Sequence, residues 1–88
     1  MWYVYILQCK DRSFYTGISE NLQDRLDTHN SGKGSNYTKA RRPVQLLYCE
    51  EFEAKSQARL RELEIKSLSV KNKRKLIKFG LGKRFPSA

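Results

Sequence analysis

The sequence predicts an α+β fold in which helices flank a small three-stranded antiparallel sheet. Two strand-like runs lie within the first 18 residues, a third covers residues 44–52, and helix-forming segments follow the second and third runs. The predicted order of elements is therefore ββαβαα. The 88 residues allow one domain with a modest core, since chains of this size bury only roughly 60 % of their unfolded surface.

The first predicted element is a β-hairpin. Residues 2–9 are mostly aromatic or β-branched, residues 10–13 form a polar turn, and residues 14–18 resume the strand pattern. An isolated hairpin is not stable in water. We therefore expect residues 44–52 to complete the sheet as its third strand.

The first predicted helix covers residues 20–30. Ser19 is a residue type that caps helices, and Leu22 and Leu26 form the apolar stripe of this helix. Residues 32–43 are rich in glycine, serine, asparagine and basic side chains, which predicts an ordered or semi-ordered loop.

Two further helices follow the third strand. One begins at residue 54 or 55 and runs to about residue 68, and the other covers residues 70–79 after a cap at Ser69. Glycine and proline interrupt the pattern beyond that point. The sequence thus predicts one domain over residues 1–80 and a flexible basic tail over residues 81–88.

The apolar runs and the cysteines exclude some classes of protein. The longest apolar run, residues 2–7, is much shorter than the ~20 residues that a membrane span needs. Cys9 and Cys49 have no CxxC spacing and no neighbouring histidine, so we expect two buried free thiols, although a disulfide between the strand ends is also conceivable. We expect a soluble cytoplasmic protein without a small-molecule cofactor, and the sequence indicates no oligomeric state.

The charge distribution is the first indication of function. The chain has 18 Lys and Arg residues and 9 Asp and Glu residues, a net charge of +9. Residues 1–32 hold three basic and four acidic side chains, whereas residues 33–88 hold fifteen and five. This imbalance favours a polyanionic partner, with nucleic acid ahead of an anionic membrane surface. The alternative is a basic surface that is merely solvated.

Two tyrosine motifs lie in the predicted hairpin. Tyr3-Val4-Tyr5 opens the first strand, and Tyr15-Thr16-Gly17 lies in the second. These motifs, together with residues 22–30, 36–43 and 61–66, resemble the small stand-alone single-domain members of the GIY-YIG endonuclease superfamily. The resemblance covers residues 2 to about 78. The first motif departs from its name, because Tyr3 and Val4 stand where glycine and isoleucine are common, but its final tyrosine is present.

The two motif tyrosines, Tyr5 and Tyr15, have the same parity along their strands. In a regular hairpin their phenols would lie on one face of the sheet, within reach of each other. Taken singly, each is equally typical of a packing residue with a polar tip. The resemblance implies a catalytic role for both.

Arg25 and His29 are four residues apart on the first helix and lie beside its apolar stripe. An arginine there can hold a phosphate through paired N–H donors and stabilise charge that develops during attack. The alternative for Arg25 is a surface ion pair, for instance with Asp24. His29 can exchange a proton near neutral pH, although a lone helical histidine is more often a packing or capping residue.

The resemblance also implies a metal ligand, Glu62, on the second predicted helix. A carboxylate with bound waters is the usual way in which a protein holds Mg²⁺, and the implied cofactor is one Mg²⁺ or Mn²⁺ ion. Periodicity alone does not decide the residue, because apolar side chains surround this helix almost evenly. Glu64 is the alternative ligand. Whichever carboxylate does not bind metal is expected to be a solvated partner of Lys66 or Arg61.

The implied mechanism is hydrolysis of a phosphodiester bond with a single metal ion. A phenol with a pKa near 10 is a poor base at neutral pH unless nearby cations lower that pKa. The metal, Arg25 or Lys39 would have to do so if Tyr5 is the base, with Tyr15 as its partner or as a ligand of the attacking water. His29 is the alternative base.

The basic loop supplies the predicted contacts with substrate: Tyr37, Lys39, Arg41 and Arg42. Together with Lys33 and the lysines of residues 71–78, they are expected to contact the phosphate backbone without reading its sequence. The alternative for Tyr37 is a loop aromatic that packs on Pro43.

The sequence therefore indicates a metal-dependent DNA endonuclease of low intrinsic sequence specificity. The alternative is a non-catalytic nucleic-acid-binding module that retains the same fold. No helix-turn-helix or zinc-finger pattern is present in the sequence.

Overall fold

The computed structural model describes residues 1–85, and they form one four-stranded antiparallel sheet with helices on both faces. The strand order is β2-β1-β3-β4. The elements in chain order are β1 (Trp2–Gln8), β2 (Phe14–Ser19), α1 (Leu22–Asn30), α2 (Asn36–Lys39), β3 (Gln45–Phe52), α3 (Lys55–Ser67), α4 (Val70–Phe79) and β4 (Lys83–Arg84). The predicted α+β class and the flanking helices are confirmed.

The predicted hairpin of β1 and β2 is present. Tyr5 lies opposite Gly17, and Leu7 lies opposite Tyr15. Tyr5 and Tyr15 are thus diagonal neighbours on one face of the sheet, as their parity predicts. The other edge of β1 pairs with β3, so β1 is a central strand.

A fourth strand, β4, differs from the predicted three-stranded sheet. Its two residues pair with Tyr48 and Cys49 of β3. The buried hydroxyl of Tyr48 accepts a hydrogen bond of 2.9 Å from the backbone N–H of Gly82. This bond fixes the residue that directly precedes β4. Part of the segment expected to be a flexible tail is therefore paired with the sheet, and residues 86–88 of that expected tail lie outside the described residues. A two-residue strand is too short to produce a periodic signal in the sequence.

The start of α1 also differs from the prediction. Ser19 is the last residue of β2 and pairs with Tyr3, so it cannot cap the helix. Asn21 is the cap instead, and its side chain accepts a hydrogen bond of 3.0 Å from the backbone N–H of Asp24. Serine and asparagine are comparable caps, and two residues separate them, so local preference alone does not choose between them.

The predicted loop contains the short helix α2. Ser35 caps this helix, and its hydroxyl accepts a hydrogen bond of 3.1 Å from the backbone N–H of Thr38. The other two predicted helices correspond to α3 and α4. The cap of α4 is Ser69, as predicted.

Apolar residues are buried on both faces of the sheet. One cluster, beneath α3 and α4, is formed by Val4, Ile6, Leu47, Tyr48, Ala58 and Ile65. The other, beneath α1, is formed by Tyr5, Leu7, Cys9, Val44 and Cys49. An irregularity in β3 leaves Leu47 without a partner in β1, so Leu47 and Tyr48 both join the first cluster.

Both cysteines are buried free thiols, as predicted. Within residues 1–85, none of the helices has the length and apolar character that a transmembrane helix requires.

Candidate active site

A cavity of about 340 Å³ lies where β2, α1, the loop before α2 and α3 meet. All five residues proposed from the sequence as catalytic line this cavity. Its lining consists of Tyr5, Tyr15, Gly17, Ile18, Arg25, His29, Lys33, Gly34, Ser35 and Glu62. Residues far apart in the sequence are thus brought to one hollow by the hairpin and by helices on both faces of the sheet.

Gly17 has no side chain, and this leaves the space through which the Tyr5 phenol reaches the cavity. A Cβ atom on Gly17 would lie 2.5 Å from the Tyr5 hydroxyl oxygen and 2.7 Å from Cζ of the ring. Because no side chain fits there, the Tyr5 ring can cross the backbone of β2. The glycine of the second motif is therefore a structural requirement for the tyrosine of the first motif.

The Tyr5 hydroxyl forms a buried hydrogen bond with His29. The phenol oxygen lies 3.0 Å from Nε2 of the imidazole, and Nδ1 of the same ring lies 2.8 Å from Oγ1 of Thr38. Tyr5, His29 and Thr38 are all buried. His29 is therefore both a packing residue and the centre of a polar chain that leads into the cavity.

The environment shifts the pKa values of this pair in directions that keep both groups neutral. Burial lowers the pKa of His29, and the charge of Arg25 lowers it further. Burial raises the pKa of Tyr5, and the neighbouring Tyr15 and Glu62 raise it further. The charge of Arg25 lowers this pKa, but by too little to reverse the shift. Arg25 thus acts in the expected direction, but the side chains of the cavity together raise the pKa of Tyr5 instead of lowering it. At neutral pH the hydrogen bond joins an un-ionised phenol to a neutral imidazole.

Tyr15 completes an aromatic wall of the cavity. Its ring meets the imidazole of His29 edge-on at a centroid distance of 5.1 Å, and it stacks with Tyr37 at 6.2 Å. Tyr37 therefore packs beside the site. The guanidinium of Arg41 covers the Tyr37 ring at 3.8 Å.

Arg25 extends from α1 to the mouth of the cavity and is exposed. Within residues 1–85 it has no ion-pair partner, so the alternative of an ion pair with Asp24 is not found. Its guanidinium is available to an anion that enters the cavity.

Glu62 enters the cavity from α3, on the other face of the sheet. Its side chain is only 9 % exposed, and its oxygens lie 3.3 Å from Lys66 Nζ and 3.6 Å from Arg59 Nε. Glu64 has a side chain that is 66 % exposed, pairs with Arg61 at 3.5 Å and does not line the cavity. Of the two candidate carboxylates, Glu62 therefore lies at the site.

The residues of the cavity fit a hard divalent cation held by one carboxylate. Among residues 1–85 there is no group of three or more His, Cys, Asp or Glu side chains that could hold a metal ion. Both imidazole nitrogens of His29 already have partners. Glu62 is thus the protein ligand that the site offers, and water and a substrate phosphate would fill the remaining positions, which is the usual coordination of Mg²⁺.

The four loop residues predicted to contact substrate lie beside the cavity rather than in its lining. Arg41 pairs with Asp11 at 3.0 Å. Arg42 donates from Nε to the carbonyl oxygen of Lys39 at 3.0 Å, while Lys39 itself is exposed. The two arginines thus help to hold the loop, and their contact with substrate stays a prediction.

Two other hollows differ in charge. A groove of about 220 Å³ shares Tyr15 with the cavity and is lined also by Phe14, Thr16, Tyr37, Lys66 and Lys73. The larger of these two, about 880 Å³, lies by the other end of α1 and is lined by Glu20, Glu50, Glu51 and Lys83 together with apolar residues. Glu50 is paired with Arg61 at 2.7 Å, and the remaining two carboxylates outnumber Lys83, so this hollow is less suited to a polyanion than the groove.

Sequence reasoning missed the residues that support the histidine. Thr38, Ser35 and Gly34 all lie at or behind the imidazole of His29. Of these three, only Thr38 lies in the loop segment of the stated resemblance, residues 36–43, and that resemblance does not say which side chain it touches.

The chain is an α+β domain in which two tyrosines, an arginine, a histidine and a glutamate lie around one cavity. A family model described as the GIY-YIG catalytic domain matches residues 1–75. The chain belongs to the GIY-YIG family.

Proteins designated UPF0213 are among its relatives. One from Staphylococcus haemolyticus is 56 % identical over 75 residues, which cover 85 % of this chain and 92 % of the relative. Another from Clostridium perfringens is 52 % identical over 77 residues, which cover 88 % and 83 %. The chain is thus similar to small proteins of nearly its own length.

Solved structures agree with the fold. The solution NMR structure of a UPF0213 protein from Bacillus halodurans has a TM-score of 0.58 and 43 % identity, covering 89 % of this chain and 84 % of that one. The NMR structure of a protein from E. faecalis has the same TM-score with 35 % identity, covering 98 % and 93 %.

Proposed function

We propose that this protein is an endonuclease that hydrolyses phosphodiester bonds of DNA with one Mg²⁺ or Mn²⁺ ion and with low intrinsic sequence specificity. The observation that carries the proposal is the hydrogen bond between Tyr5 and His29 inside a cavity that also holds Arg25 and Glu62. A fold-supporting cluster would not need this combination of proton carriers, a free guanidinium and a carboxylate.

The scissile phosphate is proposed to occupy the cavity with Arg25 at its mouth. Arg25 binds a phosphate oxygen through its N–H donors and stabilises the negative charge of the transition state. Glu62 holds the divalent cation. When bound, such a cation offsets charge on the phosphate and on the leaving oxygen.

The proton of the attacking water follows the hydrogen bond that already exists in the cavity. As the water oxygen forms its bond to phosphorus and the ester P–O bond breaks, the water proton passes to the Tyr5 oxygen. The phenol proton passes at the same time to Nε2 of His29, which lies 3.0 Å away. No free phenolate forms, which matters because burial and Tyr15 raise the pKa of Tyr5. The leaving oxygen takes a proton from solvent, and the imidazolium of His29 gives its extra proton back to solvent, which regenerates the neutral base.

The charges around the cavity support DNA as the partner. Lys66 and Lys73 line the groove next to the cavity, on the other side of Tyr15. A strand that lies across both hollows would meet these basic side chains, which contribute affinity without sequence discrimination. The larger hollow, by the other end of α1, has more acidic than basic side chains and is less suited to a phosphate backbone.

A cleavage assay on supercoiled plasmid tests the proposal, with the exposed Glu64 as the matched control for Glu62. We expect nicking with Mg²⁺, none with EDTA, loss in Glu62→Gln, and full retention in Glu64→Gln, which has the same chemical change on the same helix. Equal nicking by wild type, Glu62→Gln and Tyr5→Phe would identify a contaminating nuclease and contradict the proposal.

One observation favours the second candidate, a binding module without turnover. Lys66 and Arg59 already lie near the Glu62 carboxylate, so its presence also has a structural explanation. That candidate predicts DNA binding that weakens with salt, is unchanged in Glu62→Gln and is accompanied by no cleavage at any metal concentration.

A further inference from the structure

We propose that α2 is a positioning element for His29, in which Thr38 fixes the imidazole tautomer with the proton on Nδ1 and the free lone pair on Nε2. The role of this tautomer in catalysis rests on the proposed function. The tautomer itself is a property of the folded chain and can be measured without substrate.

The hydrogen bonds of Thr38 select the tautomer. Oγ1 of Thr38 lies 3.2 Å from the backbone carbonyl oxygen of Ser35, which can only accept a hydrogen bond. Oγ1 also lies 3.2 Å from Oγ of Ser35, and either hydroxyl of that pair can be the donor. If the single hydroxyl proton of Thr38 is donated to the carbonyl, Oγ1 is left to accept from Ser35 Oγ and from the imidazole. The imidazole Nδ1, 2.8 Å from Oγ1, must then be the donor. A neutral imidazole with its proton on Nδ1 has an acceptor at Nε2.

The loop also fixes the plane of the ring. A Cβ atom on Gly34 would lie 2.2 Å from Nδ1 and 2.9 Å from Cε1 of His29, so the backbone at Gly34 contacts the imidazole directly. Thr38 is fully buried. Ser35 caps α2 through the backbone N–H of Thr38 and thereby holds the threonine in place. The ring is thus confined both by contact and by hydrogen bonding.

The tautomer decides the direction of the Tyr5 hydrogen bond. With Nε2 free, the phenol donates to His29 and its proton can move to the imidazole. With a proton on Nε2, the imidazole would donate to the phenol oxygen, and the phenol proton would point elsewhere. The second arrangement blocks the proton path. Loss of the Thr38 hydroxyl should therefore lower the rate of cleavage measurably.

The first test is the tautomer of His29 in the wild-type protein. Long-range ¹H–¹⁵N NMR of the single histidine at neutral pH should show Nε2 with the chemical shift of an unprotonated nitrogen and Nδ1 with that of a protonated one. The opposite assignment in the folded wild-type chain would overturn the proposal. This measurement needs no variant and no activity.

The second test compares Thr38→Val, which keeps the shape but removes the hydroxyl, with Thr38→Ser, which keeps the hydroxyl. In Thr38→Val we expect the other tautomer or a mixture, and a kcat lower by about 10- to 100-fold with little change in KM. Thr38→Ser should restore both the tautomer and most of kcat. Retention of the wild-type tautomer and rate in a folded Thr38→Val protein would contradict the proposal. An inactive wild type with the expected tautomer would instead count against the nuclease function alone.

Discussion

Gly17 lies directly opposite Tyr5 in the hairpin, and the Tyr5 hydroxyl occupies the space that a side chain on Gly17 would fill. A residue without a side chain on one strand is therefore what allows the phenol of the neighbouring strand to reach His29. The first prediction concerns this pair.

Substitution of Gly17→Ala should displace the Tyr5 ring and break its hydrogen bond with His29. Because a new methyl group would meet the phenol at 2.5 Å, we expect a loss of about 1–3 kcal/mol in the free energy of unfolding and loss of cleavage. Chemical denaturation and the plasmid assay measure the two effects. An active Gly17→Ala protein of wild-type stability would show that the close approach has no role.

His29 should titrate below its ordinary pKa of 6.5, because burial and the charge of Arg25 both lower that pKa. The unfolded chain then binds a proton before the folded chain does. The free energy of unfolding should decrease as the pH falls from about 6.5 towards the folded pKa, and this component should be missing in His29→Gln. NMR titration gives the pKa directly, and Arg25→Gln should raise it. A pKa at or above 6.5 in the wild type would refute this prediction.

Substitution of Arg25→Lys should lower kcat/KM by about 100-fold, because a lysine cannot supply the paired donors of a guanidinium to a phosphate. Arg12→Lys is the control, since Arg12 is exposed in the hairpin turn and outside the cavity. Steady-state kinetics on a short duplex would measure the effect. Equal rates for the two variants would remove Arg25 from the proposed mechanism.

Removal of the Tyr48 hydroxyl should release β4 from the sheet. That hydroxyl donates to Glu50 at 2.6 Å and accepts from the Gly82 N–H at 2.9 Å. Burial and the hydrogen bond to Glu50 raise the pKa of Tyr48 to about 12. Tyr48→Phe should therefore cost about 1–3 kcal/mol of unfolding free energy, with faster hydrogen exchange at Phe85, whose N–H bonds to Leu47.

The exposed Tyr37 is the control for that experiment. Its ring packs with Tyr15 and Arg41, and its backbone carbonyl oxygen, not its hydroxyl, accepts a hydrogen bond from Arg41. Tyr37→Phe should leave the stability unchanged. Similar destabilisation in both variants would mean that the Tyr48 hydroxyl does not hold β4.

The sequence predicts those parts of the fold that depend on local patterns. Strand parity is sufficient to place Tyr5 and Tyr15 on one face, since side chains alternate along a strand. Helix spacing likewise places Arg25 and His29 on one side of α1. These relationships need only neighbouring residues and one regular hairpin.

Features that depend on docking between distant segments are not predictable in this way. Glu62 and Glu64 are equivalent in the pattern of α3, and only the packing of that helix against one face of the sheet brings Glu62 to the cavity. The contact between Thr38 and His29 depends on how the loop folds back over α1. The pKa of Tyr5 depends on burial, which no count of neighbouring cations in the sequence can supply.

The position of β1 at the centre of the sheet has a consequence for synthesis of the protein. The strand made first stays half-paired until residues 45–52 are available, and the carboxylate of the cavity follows still later in α3. A nascent chain that has emerged only as far as the basic loop therefore carries both tyrosines of the cavity but not Glu62. The cavity can therefore be complete only after α3, which ends at Ser67, has also left the exit tunnel.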